Sequence, residues 1–178
     1  MKIKKGDTPE IRLKKIDGSD FDLKSLKGKK VYLKFMRFAS CMFCNLEVNH
    51  LKNRHSEFGK DFEIVLVFHS SSEFLKKQMK RHGPLPFTIL ADPDFTYYKK
   101  YQVDRSMAKL IKAFIFKFPK ALSAMLKGYI PIKIGGYLDI MTADFFLDEN
   151  GIVIKSKYSE KDAFDGFEFK EIKEFSLS

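Results

Sequence analysis

An apolar segment that runs directly into a pair of closely spaced cysteines constrains the fold of this 178-residue chain more than any other feature. Residues 31–36 have the composition of a buried strand, and Cys41-Met42-Phe43-Cys44 follows after only four residues. From residue 42 to about 58, apolar side chains recur every three or four positions, which is the period of an amphipathic helix. The cysteine pair is therefore expected at a strand-to-helix junction.

The other segments alternate between strand and helix patterns. β-hairpins are predicted near each end of the chain, with further strands between them and a closing helix from about 167 to 175; the strand segments are 10–16, 20–23, 62–68, 87–91, 143–147 and 152–157. Alternation of this kind favours an α/β fold in which helices cover both faces of one central sheet. The sequence predicts a single domain over residues 1–178, with an insertion at about 104–142 before the last hairpin.

The charge distribution bears on partners and compartment. The formal net charge is +10, from 33 Lys and Arg against 23 Asp and Glu, but the lysines are spread along the chain. No dense basic run tracks a phosphate backbone, so no nucleic-acid partner is expected. No apolar stretch has the length of a signal or a membrane span. The cytoplasm is the expected compartment, where paired cysteines are more often catalytic than structural.

The spacing of the two cysteines predicts redox chemistry. At the start of a helix, Cys41 meets unpaired backbone N–H groups and the positive end of the helix dipole, which favour the reactive thiolate. Three helical residues bring Cys44 to the same face, within reach for a disulfide. Two inert cysteines or a zinc site with His50 and His55 are the alternatives. Zinc is disfavoured because those histidines face different directions, so neither a metal nor a cofactor is expected.

Arg37, four residues before Cys41, is the third candidate site residue. Its guanidinium is suited to stabilising a thiolate and holding a peroxide oxygen, but an exposed charge at a strand end is an equal alternative. Among the histidines, His55 is predicted to pack in the core. His50, His69 and His82 are interpreted as surface or element-end residues without a role.

Residues 35–44, Phe-Met-Arg-Phe-Ala-Ser-Cys-Met-Phe-Cys, resemble the peroxiredoxin-like branch of the alkyl hydroperoxide reductase/thiol-specific antioxidant family. Residues 86–93 and 143–151 are also similar to segments of that branch. The resemblance implies a thioredoxin-like three-layer α/β/α sandwich with an N-terminal β-hairpin. It also implies that Cys41 is the peroxidatic or attacking thiol and Cys44 the resolving thiol.

The chain departs from the family pattern at two places. Peroxidases of the family carry Pro seven residues and Thr three residues before the reactive cysteine, where this chain has Lys34 and Phe38. Thioredoxins place a cis-proline before the strand opposite the cysteines, where this chain has Met141-Thr142. The resemblance therefore supports the fold more firmly than peroxidase chemistry.

Three functions remain open on the sequence. The first is an enzyme that reduces peroxides through Cys41 and Cys44 and is reset by a thioredoxin-type or glutathione reductant. The second is a thiol–disulfide oxidoreductase that acts on disulfides without useful peroxidase activity. The third is a non-catalytic module that keeps the fold and docks a membrane or partner through its insertion.

The insertion contains a predicted amphipathic helix. Its apolar stripe ends at Pro119 and consists of Met107, Leu110, Ile111, Phe114, Ile115 and Phe118. Residues 104–142 hold seven basic and two acidic residues, a net charge of +5. Three interpretations follow: a cover packed on the domain, a homodimer interface or substrate cap, or a weak contact with an anionic membrane.

Overall fold

A seven-stranded mixed sheet runs through the centre of the computed structural model, which describes residues 1–129 and 136–178. The side chains of Phe114, Lys120 and Ala121 also lie outside the described part. The strands are β1 (Arg12–Lys15), β2 (Asp20–Asp22), β3 (Lys30–Phe35), β4 (Phe62–Phe68), β5 (Thr88–Ala91), β6 (Ala143–Leu147) and β7 (Val153–Tyr158). The α-helices are α1 (Met42–Asn53), α2 (Ser72–Met79), α3 (Thr96–Lys100), α4 (Met107–Phe116), α5 (Phe118–Leu126) and α6 (Phe169–Leu177).

The strand order is β2-β1-β5-β4-β3-β6-β7. The three central strands β5, β4 and β3 are parallel, and the outer pairs are antiparallel. In β3, Tyr32 lies opposite Ile64 on one side and Phe146 on the other. Near-continuous apolar sequence in β4 fits this position, because central parallel strands are covered on both faces.

Two apolar clusters separate the sheet from the helices on its two faces. One cluster joins side chains of α1, α2 and α6, among them Val48, Leu75 and Phe175. The other joins Tyr98 of α3 to the N-terminal segment through Ile3. This arrangement confirms the predicted three-layer α/β/α sandwich, including the N-terminal hairpin of β1 and β2 and helices inserted before the last hairpin.

The insertion differs from its prediction in two respects. Pro119 does not end the helical region; it lies in the first turn of α5, where its missing N–H is not needed. The expected single apolar stripe is also divided, because Leu110 is buried whereas Ile111 and Ile115 are exposed. Residues 130–135 of the predicted insertion lie outside the described residues.

A short paired neck joins the insertion to the domain. The backbone N–H of Ser106 donates to the carbonyl of Asp139 at 2.7 Å, and that of Met141 donates to the carbonyl of Asp104 at 2.9 Å. Arg105 forms an ion pair with Asp139 at 2.9 Å. The two ends of the insertion are therefore held together immediately before β6.

Candidate active site

The cysteine pair lies at the carboxyl end of β3, as the sequence predicts. Cys41 is the N-cap of α1, and its carbonyl accepts the backbone hydrogen bond of Asn45 at 3.0 Å. No side chain makes a capping hydrogen bond at this helix start, so the first-turn N–H groups have no partner within the helix. Those of Phe43 and Cys44 favour the ionised form of Cys41 and lower its pKa. The helix start thus stabilises a negative charge on Cys41.

The two thiols occupy different electrostatic environments. Both are free and buried, with exposed fractions of 3% for Cys41 and 2% for Cys44. Burial opposes ionisation of Cys41, but a hydrogen bond from the Cys44 thiol, the Arg37 charge and the helix N–H groups together lower its pKa to about 6. Burial and the neighbouring Cys41 thiolate raise the pKa of Cys44 well above its usual range. These opposite shifts favour the thiolate form of Cys41 and the protonated form of Cys44.

Arg37 is buried against Cys41, with 2% of its surface exposed. Its Nη1 lies 3.7 Å from the Cys41 sulfur, its Nε donates to the carbonyl of Ile140 at 2.9 Å, and its Nη2 donates to the carbonyl of Leu138. The alternative that Arg37 is an exposed charge at the end of a strand is therefore wrong. The two carbonyls orient the guanidinium so that one N–H edge faces the thiolate.

We expect the Cys41 pKa to appear directly in a pH profile of iodoacetamide labelling. The labelling rate should rise with pH through a midpoint near 6, rather than near the free-thiol pKa of about 8.5. Because the guanidinium charge favours the thiolate, Arg37→Ala should move the midpoint upward by about one unit. Arg37→Lys, which keeps the charge, should move it less. A profile unchanged by Arg37→Ala, or preferential labelling of Cys44, would contradict these assignments.

Asn45 and His82 support the loop before Cys41, although the sequence predicts no role for either residue. The Asn45 Nδ2 donates to the carbonyls of Ala39 and Cys41 at 2.8 and 2.9 Å. Its Oδ1 lies 2.8 Å from Nε2 of His82. Burial, with the charges of Arg81 and Lys52, lowers the pKa of His82 to about 4, so the ring is neutral at pH 7 and donates through Nε2.

Asn45→Ala should lower the free energy of unfolding by about 2–4 kcal/mol, because it removes the side-chain partner of the buried Ala39 carbonyl and of the His82 ring. The Cys41 carbonyl keeps the backbone N–H of residue 45 as its donor. Asn53→Ala, an exposed position at the end of the same helix, is the matched control. Urea unfolding of the reduced proteins measures both effects. Equal, small losses for the two variants would show that the Asn45 network adds little to stability.

The histidines only partly match their predicted environments. His69 and His82 lie at element ends, as predicted, but both are buried rather than on the surface. His69 stacks on Tyr137 with ring centroids 5.0 Å apart. The prediction that His55 is a core residue is wrong: it is half-buried, in a 3-10 turn after α1. The helical stripe ends before it because α1 stops at Asn53.

Lys34 and Phe38, which stand where the family's peroxidases carry Pro and Thr, are both buried. Lys34 forms ion pairs with Glu47 at 2.7 Å and Asp144 at 3.2 Å, and these charges raise the Lys34 pKa despite burial. Asp144 is the cross-strand neighbour of Lys34 in β6 and also accepts the hydroxyl of Tyr32 at 2.8 Å. Phe38 is 3% exposed and offers no side-chain donor beside Cys41.

Met141 and Thr142, which the sequence places where thioredoxins carry a cis-proline, lie just before a strand. This strand is β6, and no peptide bond of the described residues is cis. Met141 is buried and packs with Leu110 and Ala113 of α4. The insertion is thereby in contact with the segment whose carbonyls hold Arg37.

The site and the fold can be compared with known proteins. The family model described as "AhpC/TSA family" matches residues 5–156, which include Arg37, Cys41 and Cys44. The chain belongs to this family. The AhpC/TSA chain is 32% identical over 95 residues to the Coxiella burnetii protein named "Putative peroxiredoxin bcp". That match spans 53% of this chain and 63% of the relative's length.

Solved structures show the same fold. The peroxiredoxin-like protein of Aquifex aeolicus superposes with a TM-score of 0.71 at 14% identity, covering 99% of this chain and 88% of that one. Peroxidoxin BcpB of Mycobacterium tuberculosis gives 0.64 at 18% identity, covering 88% and 86%. A secreted M. tuberculosis disulfide oxidoreductase homologous to E. coli DsbE gives 0.57 at 18%, covering 94% of each chain. The AhpC/TSA chain therefore has a thioredoxin-like fold shared by thiol peroxidases and thiol–disulfide oxidoreductases.

Proposed function

We propose that this AhpC/TSA protein reduces peroxides through a Cys41 thiolate and a Cys44 resolving thiol. The observation that carries the proposal is the placement of two buried free thiols at the start of α1, with the Arg37 Nη1 3.7 Å from the Cys41 sulfur. This arrangement lowers the pKa of Cys41 and raises that of Cys44. Family membership over most of the chain supports the same chemistry. In this proposal the Arg37 guanidinium also holds a peroxide oxygen.

The proposed cycle has three steps. Cys41 thiolate attacks one peroxide oxygen, the O–O bond breaks, and the leaving alkoxide or hydroxide takes a proton, which leaves a Cys41 sulfenic acid. The Cys44 sulfur then attacks the Cys41 sulfur, forming the disulfide and releasing water. Two electrons from a thioredoxin-type or glutathione reductant restore both thiols. A reducing compartment such as the cytoplasm fits this reset.

Thiol–disulfide exchange without peroxidase activity is the second candidate. It is favoured by Phe38, which occupies the place of the hydroxyl donor beside the reactive thiol and has no donor of its own. Exchange requires an attacking thiolate and a resolving thiol, which the proposed roles of Cys41 and Cys44 supply, and a leaving sulfur, which the substrate disulfide supplies. The two candidates therefore share their residues and differ in the oxidant.

Mild peroxide treatment of the reduced protein tests the proposed roles. We expect an intramolecular Cys41–Cys44 disulfide, seen in intact mass as a loss of about 2 Da together with loss of both alkylatable thiols. The chain has no other cysteine to compete. A persistent disulfide between two chains as the main product, or no oxidation at all, would contradict the assignment of Cys44 as resolving thiol.

A further inference from the structure

The α4–α5 hairpin exposes an unusual density of large apolar side chains. Eight of them lie within twenty consecutive residues at 44–81% exposure, so the exposed apolar surface is concentrated on one element. These eight, called here the hairpin apolar face, are Met107, Ile111, Ile115, Phe116, Phe118, Leu122, Met125 and Leu126. Exposed apolar clusters of this kind mark contact sites rather than ordinary surface.

The opposite side of the hairpin is already packed on the domain. Leu110, Ala113 and Ala124 are buried, and α5 packs along α1. The hairpin apolar face can therefore be covered without removing either helix from the domain. A partner that covers this face is not found among the residues that the structure describes.

The charges around the face select the partner. Residues 107–127 contain five lysines and no acidic residue. Lys117 is paired with Asp162, and Lys109 donates to the carbonyl of Ser159, both at 2.8 Å. Lys112 and Lys127 are exposed, with no carboxylate within 4.0 Å among the residues that the structure describes. The hairpin apolar face therefore belongs to a segment whose charged side chains are all basic.

We propose that the α4–α5 hairpin docks this protein on an anionic lipid surface. Apolar side chains would enter the boundary between headgroups and acyl chains while the lysines contact acidic headgroups. A second copy fits less well, because a symmetric pairing would bring together two segments whose charged side chains are all basic. This inference is independent of the proposed redox reaction.

The lengths of the helices fit attachment to a membrane surface. α4 has ten residues and α5 has nine, so each is roughly 15 Å long, about half the thickness of a bilayer's hydrocarbon core. No helix in the described ranges 1–129 and 136–178 has the length and apolarity needed to cross a bilayer. The hairpin therefore lies in the interface plane, beside the segment that holds Arg37.

Vesicle co-sedimentation of the reduced protein tests the proposal. We expect binding to vesicles of phosphatidylcholine mixed with phosphatidylglycerol, and at least about tenfold weaker binding to phosphatidylcholine alone. Phe116→Ser combined with Leu126→Ser should lower binding by about tenfold or more. Ile154→Ser, at an exposed position on β7, is the apolar control and should leave binding unchanged.

A second pair of variants separates a local from a global charge effect. Lys112→Glu with Lys127→Glu should lower binding at least about tenfold. Lys60→Glu with Lys99→Glu makes the same charge change at exposed positions elsewhere and should have little effect. Thermal unfolding and Cys41 labelling of every variant confirm that its fold is retained.

Four results would overturn the proposal: no binding to anionic vesicles, equal binding to phosphatidylcholine, equal losses for the two lysine pairs, or a stable dimer that the Phe116 and Leu126 substitutions dissociate. The last result would identify a second copy of the chain as the occupant of the hairpin apolar face.

Discussion

Cys41→Ser should lower peroxide-dependent turnover by about 10³-fold or more, because it removes the only thiol of the pair that is ionised at neutral pH. A serine hydroxyl at the same position remains protonated and is a far weaker nucleophile. Turnover is followed as consumption of hydrogen peroxide in the presence of a dithiol reductant. A variant that keeps a tenth of the activity would place the reactive group elsewhere.

Replacement of Cys44 should give a different result. Cys44→Ser keeps a hydroxyl that can donate to the Cys41 sulfur, so the first oxidation should stay fast and a sulfenic acid should accumulate. Cys44→Ala removes that donor and should also raise the Cys41 pKa, since the Cys44 hydrogen bond is one of the contacts that lower it. Trapping with dimedone followed by intact-mass measurement detects the sulfenic acid in both variants, and a pH profile of iodoacetamide labelling distinguishes their Cys41 pKa values. Equal behaviour would show that the hydrogen bond from Cys44 does not affect the Cys41 thiolate.

Hydrogen peroxide should react with Cys41 about 10²–10³-fold more slowly than with relatives that carry the family's Thr and Pro. A preorganised donor of this kind stabilises the transition state by about 3–4 kcal/mol, and Phe38 cannot supply it. Arg37 offsets part of the loss, because its Nη1 lies 3.7 Å from the sulfur on which the peroxide oxygen would arrive.

The decisive measurement uses one preparation of reduced protein. Stopped-flow rates with hydrogen peroxide and with an accessible small disulfide are compared, each repeated with Cys41→Ser. Disulfide exchange does not need the missing donor, so it should be the less impaired reaction. A peroxide rate close to the family's fast members would refute the argument from Phe38. Negligible rates with both oxidants would refute the proposed function while leaving the lipid-docking inference intact.

The local parts of the site could be predicted from the sequence. A buried strand that ends just before a helix places Cys41 at the helix start, and helical spacing places Cys44 on the same face. These features depend on neighbours within a few positions, which periodicity reports well. The same reasoning located β6 and β7 within a residue or two of their observed bounds.

The long-range partners could not be predicted in this way. Arg37 is oriented by carbonyls about a hundred residues away, and backbone carbonyls leave no sequence signal. Asn45 meets His82 only because α1 and the turn after α2 pack together. A polar residue beside Cys44 on an apolar helix face was the available hint, but its partner depends on tertiary packing.

The burial of Lys34 also depends on a partner that is distant in the sequence. Within a strand it reads as a solvent-facing lysine, but β6 places Asp144 directly opposite it in the sheet. The prediction of one continuous apolar stripe on α4 was wrong for a related reason. Periodicity predicts that a helix has an apolar face, but it does not predict what covers that face. Only part of that face meets the domain, through Leu110 and Ala113.

The paired neck below α4 and α5 determines how much the length of the insertion can vary. Because Asp104 and Met141 are joined by a backbone hydrogen bond, its two ends stay together whatever chain lies between them. Lengthening a closed loop costs only about 0.6 kcal/mol for each doubling. Residues can therefore be added at exposed positions beyond the neck with little effect on the sheet, provided that the packed residues Leu110, Ala113 and Ala124 keep their places. Residues 138–140 lack this tolerance, because a shift of one position would withdraw the carbonyls that hold Arg37 beside Cys41.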